Sequence, residues 1–316
     1  MIQTHEGVRG MKGRDFLSMT DLNSAELTQL LETATELKAQ TKSGQPHHRL
    51  AGKTLALVFE KPSLRTRLSF DVGMFQLGGR AFYLSPQEVG LGKREAVRDV
   101  ARVIGSMTDA IVARVNRHSD VEELAQFSPV PIINGLSDLE HPCQVLADLL
   151  TIKERFGQLA GLKMAYIGDG NNMAHSLILG AALSKLNITI IAPPDYRPSE
   201  KIVAQAREIA AGHSTIEVLS DPVLGVRGAD IIYTDVWASM GQEEEAEERR
   251  VIFAAYQVND NLLEYMRPDA LVLHCLPAHR GDEITEAVLE SKQSSVFQQA
   301  ENRLHAQKAL LVHLLS

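Results

Sequence analysis

Several hydroxyl and guanidinium groups lie close together in residues 61–70, KPSLRTRLSF, where a short apolar run gives way to a helical pattern. Ser63 is a residue type that caps helix N-termini, where unpaired N–H groups carry partial positive charge. Arg65, Thr66 and Arg67 add donors, and the planar guanidinium of arginine can hold two oxygens of one phosphate. The pattern favours a phosphate-binding site. A capped helix with surface arginines is the alternative, and the segment lacks the pattern of a P-loop.

A histidine marks a second candidate site at residues 140–144, EHPCQ. Pro142 suits the first position of a helix, so His141 would stand where the helix dipole favours a neutral imidazole. A neutral imidazole can donate a hydrogen bond to a carbonyl oxygen that gains negative charge. Gln144 follows about one turn later. These residues predict a donor to a reacting carbonyl, and a capping or structural histidine is the alternative.

Residues 168–173, GDGNNM, follow an apolar run and begin like a dinucleotide-binding loop. Met173 stands where the third glycine of that loop belongs, so a nicotinamide cofactor is disfavoured. The end of a strand nevertheless suits a small ligand, and Asn171 or Asn172 is expected to contact it. A tight turn without a ligand is the alternative.

Residues 235–241, DVWASMG, also follow an apolar run. Asp235 can bind a substrate ammonium group, while Ser239 and the backbone of Met240 contact the other end of the same ligand. A helix cap is the alternative.

The chain has two cysteines, Cys143 and Cys275, which are too few for a disulfide framework. Cys275 lies in residues 274–280, HCLPAHR. Because His274 and Cys275 are adjacent on a predicted strand, their side chains should point to opposite faces and make a poor pair of metal ligands. Cys275 is expected to be either a small buried side chain or a polar residue of a site at the strand end.

Short apolar runs alternate with helical patterns along the chain, which is typical of βαβ units in parallel sheets. The runs predict strands at 53–59, 81–84, 110–115, 131–133, 163–168, 188–191, 216–219, 231–234 and 271–274. Helices are expected between them, including 23–40, 95–107, 119–127 and 142–156. The helix after Ser63 is expected to bury Leu68, Val72 and Phe75. The acidic run at 243–250 is expected to be a solvated helix face.

The expected fold class is α/β, with two doubly wound parallel-sheet domains of similar size joined by interdomain helices. The boundary is predicted near residue 150, in the helix that ends before Gly157. This division gives one domain over residues 1–150 and another over residues 151–299, and residues 300–316 form a final helix.

Composition and charge exclude several classes of protein. The 316 residues include 32 Lys and Arg against 40 Asp and Glu, a net charge of −8. A general surface for nucleic acid or an anionic membrane is therefore not expected, and any anion site must be local. The apolar runs are too short to span a membrane, and no signal peptide is recognised. A cytoplasmic enzyme is expected, and residues 1–10 are assigned no function.

In this order along the chain, the five segments resemble the motifs of the aspartate/ornithine carbamoyltransferase family, and specifically of its ornithine-using members. The family's Ser-x-Arg-Thr-Arg loop matches residues 63–67, and its His-Pro-x-Gln motif matches 141–144. Its Asp-x-x-x-Ser-Met-Gly motif matches 235–241, and His-Cys-Leu-Pro matches 274–277. Arg114 and the segment AENR at 300–303 match further family positions. The similarity runs from about residue 14 to the end of the chain.

The resemblance implies the role of each site residue. Carbamoyl phosphate would bind Ser63, Leu64, Arg65, Thr66, Arg114, His141, Gln144, Cys275, Leu276 and Arg303. Ornithine would bind Asn172, Asp235, Ser239 and Met240. Catalysis would depend on Arg65, Arg114, His141, Asp235 and Cys275. The δ-amine of ornithine would attack the carbamoyl carbon and expel phosphate, which requires no metal and no cofactor.

The resemblance also implies the arrangement of the whole protein. The first domain would bind carbamoyl phosphate, the second would bind ornithine, and the last helix would pack back on the first domain. The family usually forms a homotrimer, or a multiple of one, with active sites between subunits. Two positions differ from many members: Leu64 replaces a threonine, and Gly90 replaces a glutamine in the loop that reaches the neighbouring subunit. Gln87, Lys93 or Arg94 could supply that contact instead.

Other functions remain open at this point. The acceptor could be aspartate, putrescine or an N-acylated ornithine, although residues 235–241 accompany ornithine in the family. A nicotinamide-dependent oxidoreductase is a second alternative, which Met173 opposes although Asp195 lies near the expected distance. A binding protein without catalysis would not need His141, Arg65 and Arg114 around one carbonyl. The direction of the reaction, the size of the assembly and any regulation are not decided by these motifs.

Overall fold

The computed structural model describes residues 10–238 and 243–316. Nine strands are present in these two ranges: β1 (Thr54–Phe59), β2 (Arg80–Leu84), β3 (Ala110–Arg114), β4 (Ile132–Leu136), β5 (Lys163–Ile167), β6 (Asn187–Ile191), β7 (Ile216–Leu219), β8 (Ile231–Thr234) and β9 (Leu271–His274). They form two parallel sheets, one with the order β2-β1-β3-β4 and one with the order β7-β6-β5-β8-β9.

Helices connect the strands and cover the sheets. Those within the described ranges are α1 (Ser24–Lys42), α2 (Leu64–Gln76), α3 (Pro86–Val89), α4 (Val97–Gly105), α5 (His118–Phe127), α6 (Pro142–Phe156), α7 (Asn172–Ser184), α8 (Glu200–Ala210), α9 (Pro222–Val226), α10 (Ala246–Phe253), α11 (Asp260–Leu263), α12 (Glu286–Leu289) and α13 (Val296–Leu315). Short 3-10 turns lie at Met19–Asp21, Pro194–Tyr196, Glu243–Glu245 and Ala254–Tyr256. None of the helices seen in these ranges has the length and apolar character needed to cross a membrane.

The inner strands form because their residues are buried on both faces, as expected for parallel sheets covered by helices, whereas the edge strands β2 and β7 are partly exposed. β3 is buried along its whole length, and Leu57 of β1 lies directly opposite its Val112. All nine strands occur where the apolar runs predict them, although β4 continues to Leu136. The predicted fold class, α/β with two parallel sheets, is confirmed.

Two long helices pack against different sheets, α6 against β4 of the first sheet and α13 against β9 of the second. α6 begins at Pro142, is buried from residue 142 to residue 152, and ends at Gly157, whose φ of 77° suits a left-handed cap. α13 begins at Val296, earlier than the expected residue 300, and packs against α1, α2 and α6. The domain boundary near residue 150 stays a prediction.

The buried face of α2 differs from the expected one. Leu68 and Phe75 are 57% and 78% exposed, whereas Phe70 and Met74 are fully buried. The prediction that Leu68 and Phe75 face the core is therefore wrong. Periodicity identifies an apolar stripe on a helix but does not say which surface covers it. Here no other part of the described chain covers the stripe, so Leu68 and Phe75 are exposed.

Candidate active site

The carboxyl ends of both sheets face one cleft of about 970 Å³, where loops after parallel strands commonly bind ligands. Loops after β1, β3 and β4 form one wall, and loops after β5, β6, β8 and β9 form the other. Ten of the residues singled out from the sequence line this cleft: Ser63, Leu64, Arg65, Arg114, His141, Asn172, Asp235, Cys275, Leu276 and Arg303.

The first turn of α2 opens onto the cleft because Ser63 caps the helix there. Its Oγ accepts a hydrogen bond from the Thr66 N–H at 3.3 Å. Arg65 lies half-buried, and burial lowers the pKa of its guanidinium while Cys275 and Asp235 oppose that shift. Arg67 turns outward instead, with its guanidinium carbon 4.0 Å from the centre of the Tyr83 ring. This arrangement leaves Arg65 as the guanidinium of α2 that faces the cleft.

Arg65 belongs to a cluster of cations from three separate elements. Arg114 ends β3 and is 7% exposed, and Arg303 of α13 is 2% exposed. Burial, with repulsion from Arg303 and Arg65, lowers the pKa of Arg114 to about 10. Burial is also the largest cause that lowers the pKa of Arg303. An anion bound among these groups would offset their repulsion.

His141 stands at the N-terminus of α6 and faces this cluster. Burial, followed by the charges of Arg303, Arg114 and Arg65, holds the pKa of His141 well below its usual range. The imidazole is therefore neutral, as the sequence predicts, but burial rather than the helix end is the largest cause. Its backbone N–H donates to Ser176 Oγ at 2.9 Å, which fixes the start of the helix. Its Nδ1 has no hydrogen-bond partner among the described residues.

Two residues expected to contact the ligand lie behind the cleft wall. Thr66 and Gln144 are fully buried and hold Arg303 in place. Arg303 Nη2 donates to Thr66 Oγ1 at 2.7 Å, and Arg303 Nη1 donates to Gln144 Oε1 at 2.9 Å. Both side chains therefore support a cation of the cleft.

The opposite wall carries a carboxylate with fixed neighbours. Asp235 follows β8, and its Oδ1 accepts a hydrogen bond from the Cys275 thiol at 2.9 Å. Its Oδ2 accepts from Asn171 Nδ2 at 3.0 Å. Burial, and then the Asp235 charge, raises the pKa of Cys275 well above its usual range. The thiol therefore keeps its proton, and the pair offers a negatively charged surface that suits an ammonium group.

The two asparagines left open by the sequence have different positions. Asn171 caps α7, with its Oδ1 accepting from the Met173 N–H at 2.9 Å, and orients Asp235. Both asparagines line the cleft, and Asn172 donates to the Ser137 carbonyl oxygen at 2.7 Å. Ser239 and Met240 lie outside the described residues.

Leu276 adopts a left-handed backbone conformation, with a φ of 57°. This conformation is unfavourable for a leucine and persists only where neighbours hold it. The Leu276 N–H donates to His274 Nδ1 at 2.8 Å, and His274 Nε2 lies 2.9 Å from Glu283 Oε1. The turn after β9 is thereby held at the cleft.

The donor atoms of Asp235, His274 and Cys275 lie within 4.8 Å of one another, a spacing that a metal site also shows. The expectation that His274 and Cys275 point fully apart is therefore wrong, because Cys275 lies beyond the last residue of β9. Both ring nitrogens of His274 are nevertheless engaged, by Leu276 and Glu283. A metal ion would have to displace one of these hydrogen bonds before His274 could ligate it.

Sequence reasoning missed Arg249, which lies in the run expected to be solvated. Arg249 is 6% exposed and lines the cleft. Its Nη1 donates to Asp169 Oδ2 at 2.8 Å and to the Trp237 carbonyl oxygen at 2.9 Å, and its guanidinium carbon lies 4.9 Å from the centre of the Tyr196 ring. Asp169 is 80 residues away in sequence, so no local pattern could have identified this contact.

A parallel α/β fold with a cationic wall facing a carboxylate and amide wall is typical of an enzyme whose cleft binds an anionic small molecule. Comparison with known families identifies the group within that class. The carbamoyl-P binding domain model of aspartate/ornithine carbamoyltransferase matches residues 14–154, and its Asp/Orn binding domain model matches residues 160–314. The chain belongs to the aspartate/ornithine carbamoyltransferase family.

Individual relatives are similar in sequence to this chain along nearly its whole length. An ornithine carbamoyltransferase of Anoxybacillus flavithermus is 53% identical, over 96% of this chain and 98% of its own length. One of Pyrococcus abyssi is 52% identical, over 98% of both chains. The solved structure of the Pyrococcus furiosus ornithine carbamoyltransferase has a TM-score of 0.95 and 51% identity, covering 98% of this chain and 99% of that one. The predicted family and the enzyme class, a carbamoyltransferase, are confirmed.

Proposed function

We propose that this enzyme transfers the carbamoyl group of carbamoyl phosphate to the δ-amine of L-ornithine, giving L-citrulline and phosphate. The observation that carries the proposal is the pairing of two walls across one cleft. Arg65, Arg114 and Arg303 suit an anionic donor, and Asp235 faces them with an acidic surface for an amine. The names of the full-length relatives support ornithine as the acceptor.

The donor would bind against the first turn of α2. Ser63, the backbone of Leu64, and Arg65 would hold the phosphate oxygens, with Thr66 and Gln144 positioning Arg303 behind them. His141 and Arg114 would donate to the carbamoyl oxygen, and the Leu276 turn, with Cys275, would contact the carbamoyl amino group. Neutral His141 can donate without adding a further charge to the arginine cluster.

The acceptor would bind on the opposite wall. Asp235 and Asn172 would contact the amino-acid end of ornithine, together with Ser239 and the backbone of Met240. The thiol of Cys275, which keeps its proton, is suited to hydrogen bonding rather than to attack on the carbamoyl carbon. The nucleophile is then the substrate amine.

The reaction proceeds through a tetrahedral intermediate. The δ-amine attacks the carbamoyl carbon, the bond from that carbon to the phosphate oxygen breaks, and the departing phosphate takes the amine proton. A free alkylamine titrates near ~10.4, so the neutral form is a minor species at neutral pH. The cationic wall disfavours a protonated amine beside it, and preorganised donors stabilise the developing oxyanion by about 3 kcal/mol each.

A transfer assay with a panel of acceptors tests the proposal. The wild-type enzyme should form citrulline from ornithine, with kcat/KM at least about 100-fold above that for aspartate, putrescine or N-acetylornithine. Arg65→Ala should lower kcat by about 100-fold or more, whereas the outward-facing Arg67→Ala serves as the matched control. Preference for another acceptor, or no carbamoyl transfer at all, would refute the assignment.

The finer properties of the enzyme are also part of this proposal. A relative from Pyrococcus furiosus is named as anabolic, which supports citrulline formation for arginine synthesis as the direction. We propose a homotrimer, or a multiple of one, with residues 85–95 reaching a neighbouring active site. The exposed apolar stripe of α2 supports self-association. A cytoplasmic location stays a prediction.

A further inference from the structure

Asp148 is a buried carboxyl group outside the cleft that forms hydrogen bonds with two glutamines, and each glutamine supports one wall of the cleft. Asp148 lies on α6, one turn after Gln144, and is fully buried. Its Oδ1 accepts hydrogen bonds from Gln144 Nε2 at 2.8 Å and from Gln299 Nε2 at 2.7 Å. No motif of the sequence and no step of the proposed reaction uses Asp148 or Gln299.

One of these amides leads to the donor wall. Gln144 Oε1 accepts from Arg303 Nη1 at 2.9 Å, and Arg303 Nη2 donates to Thr66 Oγ1 at 2.7 Å. Thr66 lies in the first turn of α2. The hydrogen bonds thus run from Asp148 to the end of α2 against which the phosphate of the donor would bind.

The other amide leads to the acceptor wall. Gln299 Oε1 accepts from the backbone N–H of His274 at 2.9 Å, and His274 Nδ1 accepts from the Leu276 N–H at 2.8 Å. Leu276 needs support because its φ of 57° is unfavourable for a leucine. The hydrogen bonds therefore run from Asp148 to the turn that contains Cys275.

The direction of each hydrogen bond shows what Asp148 contributes. A glutamine amide can turn over and exchange its donor nitrogen with its acceptor oxygen. Arg303 and the His274 N–H are donors only, so each glutamine must present its oxygen to them. An acceptor on the opposite side selects this orientation for both amides at once, and Asp148 Oδ1 is that acceptor. A proton on Oδ2 would leave both bonds unchanged.

We propose that Asp148 is a positioning residue for both walls of the cleft, holding Gln144 toward Arg303 and Gln299 toward His274. The inference rests on the proposed carbamoyl transfer. It adds Asp148 and Gln299, which would affect the reaction through the residues that they position. Asparagine retains an acceptor oxygen in the same place, whereas leucine fills the space without one. Gln299 connects to the turn of Cys275 and Leu276 and not to Arg303, so its replacement separates the two branches.

The test compares four variants: Asp148→Asn, Asp148→Leu, Gln299→Leu and the control Gln298→Leu. Gln298 is the exposed neighbour of Gln299 and bonds to Glu154 at the surface. Steady-state kinetics for both substrates and calorimetric affinity for carbamoyl phosphate are measured well below the melting temperature of each variant. Asp148→Leu should raise KM for ornithine and weaken carbamoyl phosphate binding, each by about tenfold or more. Gln299→Leu should raise the ornithine KM by about tenfold but weaken carbamoyl phosphate binding less than Asp148→Leu does, because Gln144 still holds Arg303.

The conservative variant Asp148→Asn distinguishes a role in positioning the two glutamines from a role in core stability alone. Asp148→Asn should keep both substrate constants within about threefold of wild type. The inference is overturned if Asp148→Asn is as impaired as Asp148→Leu, or if Asp148→Leu only lowers the melting temperature with normal substrate constants. If the wild-type enzyme transfers no carbamoyl group, the proposed function fails instead. The calorimetric comparison of Asp148→Leu with Asp148→Asn then still decides the donor branch.

Discussion

Cys275 shows how the surroundings of a single residue decide its chemistry. Its thiol donates to Asp235 Oδ1 at 2.9 Å, and burial raises its pKa well above the usual range. Cys275→Ala removes one hydrogen bond, worth about 0.5–1.5 kcal/mol, so kcat/KM for ornithine should fall by about two- to tenfold. Steady-state assays at pH 8 measure this change. A loss of about 1000-fold or more would mean that the thiol takes part directly in the chemistry.

Asp148 has an energetic effect separate from its positioning role. Burial raises the pKa of Asp148 from 3.8 to about 7, against the opposing effects of Gln144, Gln299, the Tyr233 hydroxyl and the charge of Arg303. Between these two values the folded protein keeps a proton that the unfolded chain has released. The contribution of Asp148 to the free energy of unfolding therefore falls as pH rises from about 4 to 7.

Asp148→Asn removes this dependence on pH because the amide does not titrate. The variant should melt at a higher temperature than wild type at pH 8, and the difference should shrink toward pH 4.5. Calorimetric scans at both pH values measure it, with Asp260→Asn at the exposed start of α11 as the control. A difference in melting temperature that is equal at both pH values would contradict the assignment.

At the level of elements, the face of α2 carries a prediction about assembly. Leu64, Leu68 and Phe75 leave more than half of their side chains exposed on this one helix, and Phe82 of the neighbouring edge strand is 40% exposed. A patch of this kind is typical of a protein interface. Phe75→Lys should shift the enzyme to a smaller species in light scattering after gel filtration. Val251→Lys, at an equally exposed valine of α10, should not.

The elements were predictable to different degrees, for physical reasons. The strands could be located because each is a short apolar run, and inner strands such as β3 are buried on both faces. The orientation of α2 could not be predicted, because its apolar stripe with Leu68 and Phe75 is exposed in the single chain instead of packing on the core. The cleft residues that follow strands, such as Asp235, were recognisable from their position. Asp148 and Arg249 were not, because their partners lie far away in sequence.

For the whole molecule, the distribution of charge matters more than its sum. The chain has a net charge of −8, yet Arg65, Arg114 and Arg303 converge at one cleft. After the larger effect of burial, Arg303 and Arg65 lower the pKa of Arg114, and Arg65 lowers that of Arg303. Positive charge is therefore concentrated where desolvation makes each interaction with an anion stronger. The ligand-free protein carries this repulsion, and a bound anion relieves it.

Inorganic phosphate should accordingly stabilise the folded enzyme. A ligand at 100 times its Kd adds about 2.7 kcal/mol to the free energy of unfolding, which corresponds to a rise of roughly 5 °C in melting temperature for a chain of this size. Sodium chloride at equal ionic strength should give a much smaller rise, because chloride cannot bridge several guanidinium groups. Arg114→Met should lose most of the phosphate effect, whereas Arg250→Gln should keep it, since Arg250 pairs with Glu247 and Asp282 away from the arginine cluster. An equal rise in Arg114→Met and wild type would mean that phosphate binds elsewhere, and the charge cluster would then need another explanation.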